Sequence, residues 1–112
     1  MDRNNCAIYI DIKWSMEQVL DLINEKYGGE RNKYNVNCDW AILDIEKNDY
    51  SWFKKRRKVD GFLYYRYIVF VESKLPDDLF STFVRNLREF ILALKEIGAK
   101  VVPACDFEEE LN

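Results

Sequence analysis

Hydrophobic residues along this chain change their spacing several times, from every second residue to every third or fourth and back again. Alternation by two is typical of a β-strand with one buried face, whereas spacings of three and four are typical of an amphipathic helix. The patterns follow in the order strand, helix, strand, strand, helix, strand. This order limits the possible folds more than any motif in the chain.

The first strand and the first helix have the clearest boundaries. Residues 6–13 alternate isoleucines with other side chains, which predicts a half-buried strand. Ser15, followed three residues later by Gln18, matches a capping box, in which side chains and backbone satisfy each other's hydrogen bonds at a helix N-terminus. Helical spacing continues to Tyr27, and Gly28-Gly29 supplies the left-handed conformation on which many helices end.

Two strands are predicted in the middle of the chain, over residues 34–47 and 62–72. In the first, the apolar face changes near Trp40 and Ala41, which we interpret as a β-bulge or as strong coiling of one long strand. In the second, alternate residues from Leu63 to Val71 form one continuous apolar face, and it is the strongest strand pattern in the sequence.

The connection between these strands, residues 48–61, is long for a hairpin loop, which favours a functional segment. Beside Trp52 it carries five consecutive cations, namely Lys54, Lys55, Arg56, Arg57 and Lys58. A basic run beside aromatic rings suits phosphate contacts and base stacking. A solvated loop and a loop that steers an acidic protein partner are the other interpretations. Because the net charge is −3, nucleic acid is the less favoured partner.

The C-terminal part contains a long helix and a last strand. Pro76 followed by Asp77 and Asp78 predicts the helix start, because proline suits the first turn and acids complement the positive end of the helix dipole. The helix ends at Gly98, and residues 99–105 form a strand. Pro103 lacks an amide hydrogen, which predicts that this strand lies at a sheet edge. Residues 106–112 are predicted to be an acidic tail.

This order of elements over roughly 100 residues is typical of a ferredoxin-like β-α-β-β-α-β sandwich. We therefore predict one α+β domain, residues 1–112, with an antiparallel four-stranded sheet in the order 4-1-3-2 and two helices on one face. The same elements paired in another order are the competing architecture.

Two helices cover one face of such a sheet and leave the other open. Aromatic residues make up 15% of the chain, which is high for so small a core. We expect an apolar patch on the open face, of the kind that marks an interface with a partner protein or a second copy, unless the tail or the long loop folds over it. The predicted partner contacts are Tyr9, Trp40, Phe62, Tyr64 and Phe70, with Trp52 and the basic run at the rim.

The sequence contains few of the residues and motifs on which enzymes commonly depend. The chain has no histidine, so the commonest neutral-pH acid–base group and metal ligand is missing. Zinc-type Cys-x-x-Cys pairs, glycine-rich phosphate loops and nucleophile elbows do not occur either, and we predict neither a metal nor a cofactor. A carboxylate-based enzyme formed as a ferredoxin-like dimer is the remaining catalytic alternative.

The three cysteines allow predictions about the strand pairing and about the cellular compartment. In a 4-1-3-2 sheet, the start of the first strand lies beside the end of the last, so Cys6 and Cys105 are predicted cross-strand neighbours about 5 Å apart. With three cysteines and no signal peptide or apolar run of roughly 20 residues, we expect a cytoplasmic protein with reduced thiols.

The segments GFLYYRY, at residues 61–67, and VPACDFEEEL, at residues 102–111, flank the long helix. Together they resemble small standalone bacterial proteins of unassigned function, some of which are immunity proteins that neutralise a toxin from the same locus. The resemblance covers the C-terminal half and includes no catalytic motif. It implies a binding function, which leaves nucleic-acid or anionic-ligand binding through the basic loop as the alternative.

Overall fold

The structure, a computed structural model, describes residues 4–49 and 64–111. These residues form two α-helices and one antiparallel sheet of six strands, so the α+β class is confirmed, but the sheet has two strands more than the predicted four. The strands are β1 (Asn5–Asp11), β2 (Glu30–Arg31), β3 (Asn35–Asn37), β4 (Ala41–Lys47), β5 (Tyr67–Ser73) and β6 (Lys100–Ala104), and the helices are α1 (Met16–Tyr27) and α2 (Phe80–Glu96).

The strands lie in the order β2-β3-β4-β5-β1-β6, and each paired neighbour is antiparallel. In this register Ile8 of β1 lies opposite Val69 of β5 on one side and Pro103 of β6 on the other. The predicted edge position of the strand that contains Pro103 is therefore confirmed within the described sheet.

The N-terminus of α1 has the predicted capping box. The backbone N–H of Gln18 donates to the Ser15 hydroxyl at 3.2 Å, and the backbone N–H of Ser15 donates to the Gln18 side-chain oxygen at 2.9 Å. After the helix, Gly28 and Gly29 both have positive φ, at 69° and 90°. A Cβ on Gly29 would lie 2.3 Å from the carbonyl oxygen of Asn37, so this glycine also lets β3 approach the chain that leaves the helix.

The predicted strand over residues 34–47 is two strands, so the interpretation as a bulge is wrong. Residues 38–40 reverse the chain, and β3 and β4 pair as a hairpin closed by the Cys38 N–H, which donates to the carbonyl of Ala41 at 3.0 Å. The ammonium group of Lys74 donates to the carbonyl of Cys38 at 2.9 Å and fixes this reversal. The change of apolar face near Trp40 is thus the turn of a hairpin.

The predicted strand over residues 62–72 also begins too early. Strand pairing starts at Tyr67, because a backbone group of each of the two preceding residues forms a hydrogen bond with a side chain instead of with a neighbouring strand. The Asn48 amide donates to the carbonyl of Tyr65 at 2.7 Å, and the backbone N–H of Arg66 donates to the Asp11 carboxylate at 3.3 Å. These contacts replace the ladder bonds that a longer strand would form.

A short 3-10 turn, Asp77–Leu79, follows Pro76 and leads into α2, which gives the second helix the predicted start. The C-terminal segment, which the sequence predicts to be an acidic tail, packs against the rest of the fold. Phe107 and Leu111 are buried, and the Phe107 ring lies 5.1 Å from that of Phe80 in a T-shaped contact. The segment therefore packs against α2, on the covered side of the sheet.

Both helices share one core with alternate residues of the sheet. Ile8 and Ile10 of β1 and Val69 of β5 are fully buried beneath them, as the strand patterns predict. Tyr27 at the end of α1 reaches α2, where its ring lies 6.4 Å from that of Phe90. Within residues 4–49 and 64–111, both helices thus pack on one face of the sheet, and neither covers the opposite face, which we call the open face.

Candidate functional site

The open face consists of the residues that alternate with the buried ones on each strand. In its middle, Tyr9 of β1 lies opposite Ile68 of β5, and Ala7 lies opposite Phe70. Phe70 is 42% exposed, which is high for an aromatic side chain on a central strand. The pairing brings these side chains together because residues opposite each other in an antiparallel pair lie on the same face.

Carboxylates border these apolar residues. On β4, Asp44 lies opposite Phe70 and Glu46 lies opposite Ile68, while Glu72 follows on the same face of β5. The predicted patch was continuously apolar, whereas the observed face is an apolar strip beside a row of acids. An aromatic anchor with carboxylates around it suits a partner that is both apolar and positively charged.

Two grooves adjoin this strip. One, of about 940 Å³, lies where β4 extends beyond β3 in the described sheet, and Tyr34, Asp44 and Phe70 are among the residues that line it. The other, of about 520 Å³, is lined by Tyr9, Tyr64 and Ile68 among others. Concave surfaces beside an exposed aromatic ring are suited to receiving the side chains of a bound segment.

The structure places the predicted contacts in different parts of the molecule. Tyr9 and Phe70 lie on the open face as predicted, and Tyr64 lies half-buried at the end of the sheet beside them. Phe62, Trp52 and the run Lys54, Lys55, Arg56, Arg57 and Lys58 lie outside the described residues.

Trp40 is not on the open face, so its predicted placement there is wrong. The side chain is only 7% exposed and lies in the core, where its ring is 5.2 Å from Tyr27 and 5.8 Å from Phe83. The reason is the hairpin turn at residues 38–40, which rotates Trp40 towards the helices. A single continuous strand would have placed it with the open-face residues.

Tyr34 is a surface residue that the sequence patterns did not single out. It is 53% exposed, and the Lys33 ammonium lies 5.2 Å from the centre of its ring. The backbone N–H of Ile45 donates to the carbonyl of Tyr34 at 2.9 Å, which fixes the residue at the edge of the groove. In the sequence, the only indication of an exposed aromatic residue here was the pair Lys33-Tyr34 just before an alternating segment.

Cys6 and Cys105 are cross-strand neighbours, as predicted. Both are free thiols, and their sulfur atoms lie 2.7 Å apart. Burial, together with the neighbouring thiol of Cys105, raises the pKa of Cys6 far above its ordinary value. Burial also raises the pKa of Cys105. Because the thiolate is the reactive form, both cysteines are poor nucleophiles in the folded chain.

The described residues hold no metal-binding constellation: no three side chains of His, Cys, Asp or Glu come together within ligand distance of a common point. Within residues 4–49 and 64–111, neither helix combines the length and apolar character that a membrane span requires. The candidate site is therefore the open face with its two grooves.

Comparison of the chain with models of protein families, with curated proteins and with solved structures found no match. The resemblance to immunity proteins therefore stays a prediction from the residues that carry it.

Proposed function

We propose that this chain is a protein-binding domain whose open sheet face docks a basic segment of another protein. The observation that carries the proposal is the exposure of Phe70 in the middle of the sheet, directly opposite Asp44. A few aromatic anchors commonly contribute most of the binding free energy at an interface. The neighbouring carboxylates would then select a partner by its charge and set its orientation.

The packing of the C-terminal segment supports a site that is open to a partner. Phe107 and Leu111 are buried against α2, so this segment is held on the covered side of the sheet. Glu110 is held there too, since the Arg88 guanidinium donates to its backbone carbonyl at 2.6 Å.

The resemblance to immunity proteins suggests the class of partner. A toxin with a basic surface would match the carboxylates of Asp44, Glu46 and Glu72, and its neutralisation requires binding alone. Phe62, Trp52 and the basic run at residues 54–58 are proposed as further contacts at the rim, where they would meet an acidic part of the same partner.

We also propose that β4, β5, β1 and β6 form a ferredoxin-like unit with the two helices, extended at one edge by β2 and β3. The neighbour order of these four strands supports it, as does the core shared by α1 and α2. An experimental structure with the helices on opposite faces would contradict this assignment.

A selection from a displayed library of random short peptides tests the binding proposal. The whole chain is the bait, and the Phe70→Ala variant removes peptides that bind elsewhere. We expect the retained peptides to carry Lys or Arg on either side of a large apolar residue. Their affinity should fall at least about tenfold for Phe70→Ala, because an interface anchor is lost. Asp44→Asn should reduce the salt dependence of their association rate.

Leu92→Ala is the matched control, because Leu92 is 54% exposed but lies on α2, away from the open face. It should leave peptide binding unchanged. Retained peptides that are acidic, or that bind Phe70→Ala as tightly as the unchanged chain, would contradict the proposal. Light scattering tests whether the open face binds a second copy of the chain. A dimer that the Phe70→Ala substitution dissociates would show that it does.

A further inference from the structure

Four strand ends meet at one end of the sheet. Because neighbouring strands are antiparallel, the last residues of β1 and β4 lie beside the first residues of β5 and β6. Asp11 lies opposite Lys100 in this register, and Lys47 lies opposite Tyr67. Residues far apart in the sequence are thereby collected at a single place.

These strand ends and their flanking residues surround a cleft of about 910 Å³. Four cationic side chains line it, namely those of Lys13, Lys47, Arg66 and Lys100. Among the described lining residues, Asp11 is the one carboxylate, and it accepts a hydrogen bond from the backbone N–H of Arg66 at 3.3 Å. The volume lies within the range of small-molecule sites, roughly 300–1,000 Å³.

The four cations have no salt-bridge partners within the described parts of the chain. Between described residues, the one salt bridge joins Arg31 of β2 to Asp21 of α1. Like charges held together in a concave surface repel each other, and the walls of a cleft concentrate their field. An anion that enters would relieve this repulsion.

The cleft also has aromatic and apolar walls. Trp14 and Tyr64 are half-buried in its lining, with Ile12 and Ile97 beside them. The position of Trp14 is fixed, since the Tyr67 hydroxyl donates to its backbone carbonyl at 2.6 Å. Aromatic side chains of this kind stack on the flat ring of a ligand, and cations beside them contact its phosphates.

We propose that this cleft binds a nucleotide, with its phosphates on the lysine and arginine side chains and its base against Trp14 or Tyr64. A small ligand suits the cleft better than a nucleic-acid strand does. The adjoining open face carries Glu46, Asp44 and Glu72, which would repel a polyanion that extended beyond the cleft. The cleft shares Lys47, Tyr64 and Arg66 with the grooves beside the open face, but its cations, and not Phe70 or the carboxylates, carry this proposal.

Calorimetric titration of the full chain with ATP, tripolyphosphate and oligouridylate tests the ligand class. We expect ATP to bind at one site per chain, more weakly as salt is raised, and more tightly than tripolyphosphate, which lacks the ring. No heat of binding with ATP would overturn the proposal. Equal affinity for tripolyphosphate would overturn the recognition of a base, and tighter binding of oligouridylate would show that the ligand is a polymer.

Variants test the position of the site. The double variant Lys47→Gln/Lys100→Gln should bind ATP roughly tenfold more weakly for each lysine removed, because each loses a charge-assisted contact. The control Lys26→Gln/Arg85→Gln removes the same charge from exposed positions on the two helices and should retain the original affinity. Equal weakening by both double variants would overturn the site, since it would show a general charge effect.

Tyr64→Leu separates the two parts of the ligand. The substitution should weaken the binding of ATP and leave the binding of tripolyphosphate unchanged, because only ATP has a base that contacts the Tyr64 ring. An equal loss for both ligands would contradict the stacking role of Tyr64. Thermal unfolding of each variant, measured alongside, distinguishes loss of a contact from loss of the fold.

Discussion

The two faces of the sheet come from alternate residues of the same strands, yet they differ in chemistry. On the covered face, Ile8 and Val69 lie opposite each other and are fully buried. In the next pair along the two antiparallel strands, Ala7 and Phe70 lie opposite each other on the open face, and Phe70 remains 42% exposed. The centre of the covered face is apolar, whereas the open face combines apolar side chains with carboxylates.

This difference separates the residues that determine the fold from those available for recognition. Side chains on the covered face contact both helices, so their size and shape are restricted by the close packing of the core. On the open face, Phe70 is exposed and therefore less restricted in size and shape. A protein can therefore change its binding specificity on the open face while it keeps the same sheet.

The largest change in the free energy of unfolding is expected from a comparison of two aromatic residues, one on each face. Trp40→Ala should lower the free energy of unfolding by about 3–5 kcal/mol, because it leaves a cavity beside Tyr27 and Phe83. Phe70→Ala should lower it by less than about 1 kcal/mol, because the ring is already partly in water. Equilibrium unfolding in urea measures both. Losses of similar size would show that the open face contributes to the fold as the covered one does.

Alkaline pH should act on the covered face through Cys6. Burial raises its pKa in the folded chain above the ordinary value of 9.0, so the thiol ionises first in the unfolded chain. The free energy of unfolding is then retained below about pH 9 and falls above it by about 1.4 kcal/mol per pH unit for this group. Burial raises the pKa of Tyr27 as well, which should steepen the fall above its ordinary value of 10.0.

Urea unfolding between about pH 8 and pH 10 measures this slope. Cys6→Ala should give a shallower one, because the variant has no thiol to ionise at that position. A free energy of unfolding that stays constant over this interval would show that the thiol is already accessible to water in the folded chain.

The smallest expected effect concerns the carboxylates of the open face. Asp44→Asn combined with Glu46→Gln should change the free energy of unfolding by no more than about 0.5 kcal/mol, since these are surface substitutions without buried contacts to lose. Thermal unfolding is a sufficient measurement. A loss above about 1 kcal/mol would mean that these acids hold the sheet together, which would weaken the case for recognition.

Local sequence signals were enough to predict several elements. The Ser15–Gln18 capping box, the Gly28 helix end and the edge strand with Pro103 depend on residues next to each other in the chain. The Cys6–Cys105 contact required only the correct neighbour order of the first and last strands. Tyr9 and Phe70 followed from simple alternation on their strands.

The errors arose where distant residues decide the local structure. No glycine or proline marks the reversal at residues 38–40, which Lys74 fixes from elsewhere in the chain. The start of β5 depends on Asn48 and Asp11, which bind backbone groups that would otherwise extend the strand. The cations of the cleft come from four separate segments, so only the strand pairing reveals that they lie together.

The edges of the described sheet limit how its backbone could pair with that of another chain. One edge is β6, in which Pro103 offers no amide hydrogen, and the other is β2, which is only two residues long. Neither can serve as an extended template for the backbone of another chain. Within the described sheet, an exposed aromatic residue such as Phe70 thus carries little risk of fibril growth, since neither outer strand offers a long edge to propagate it.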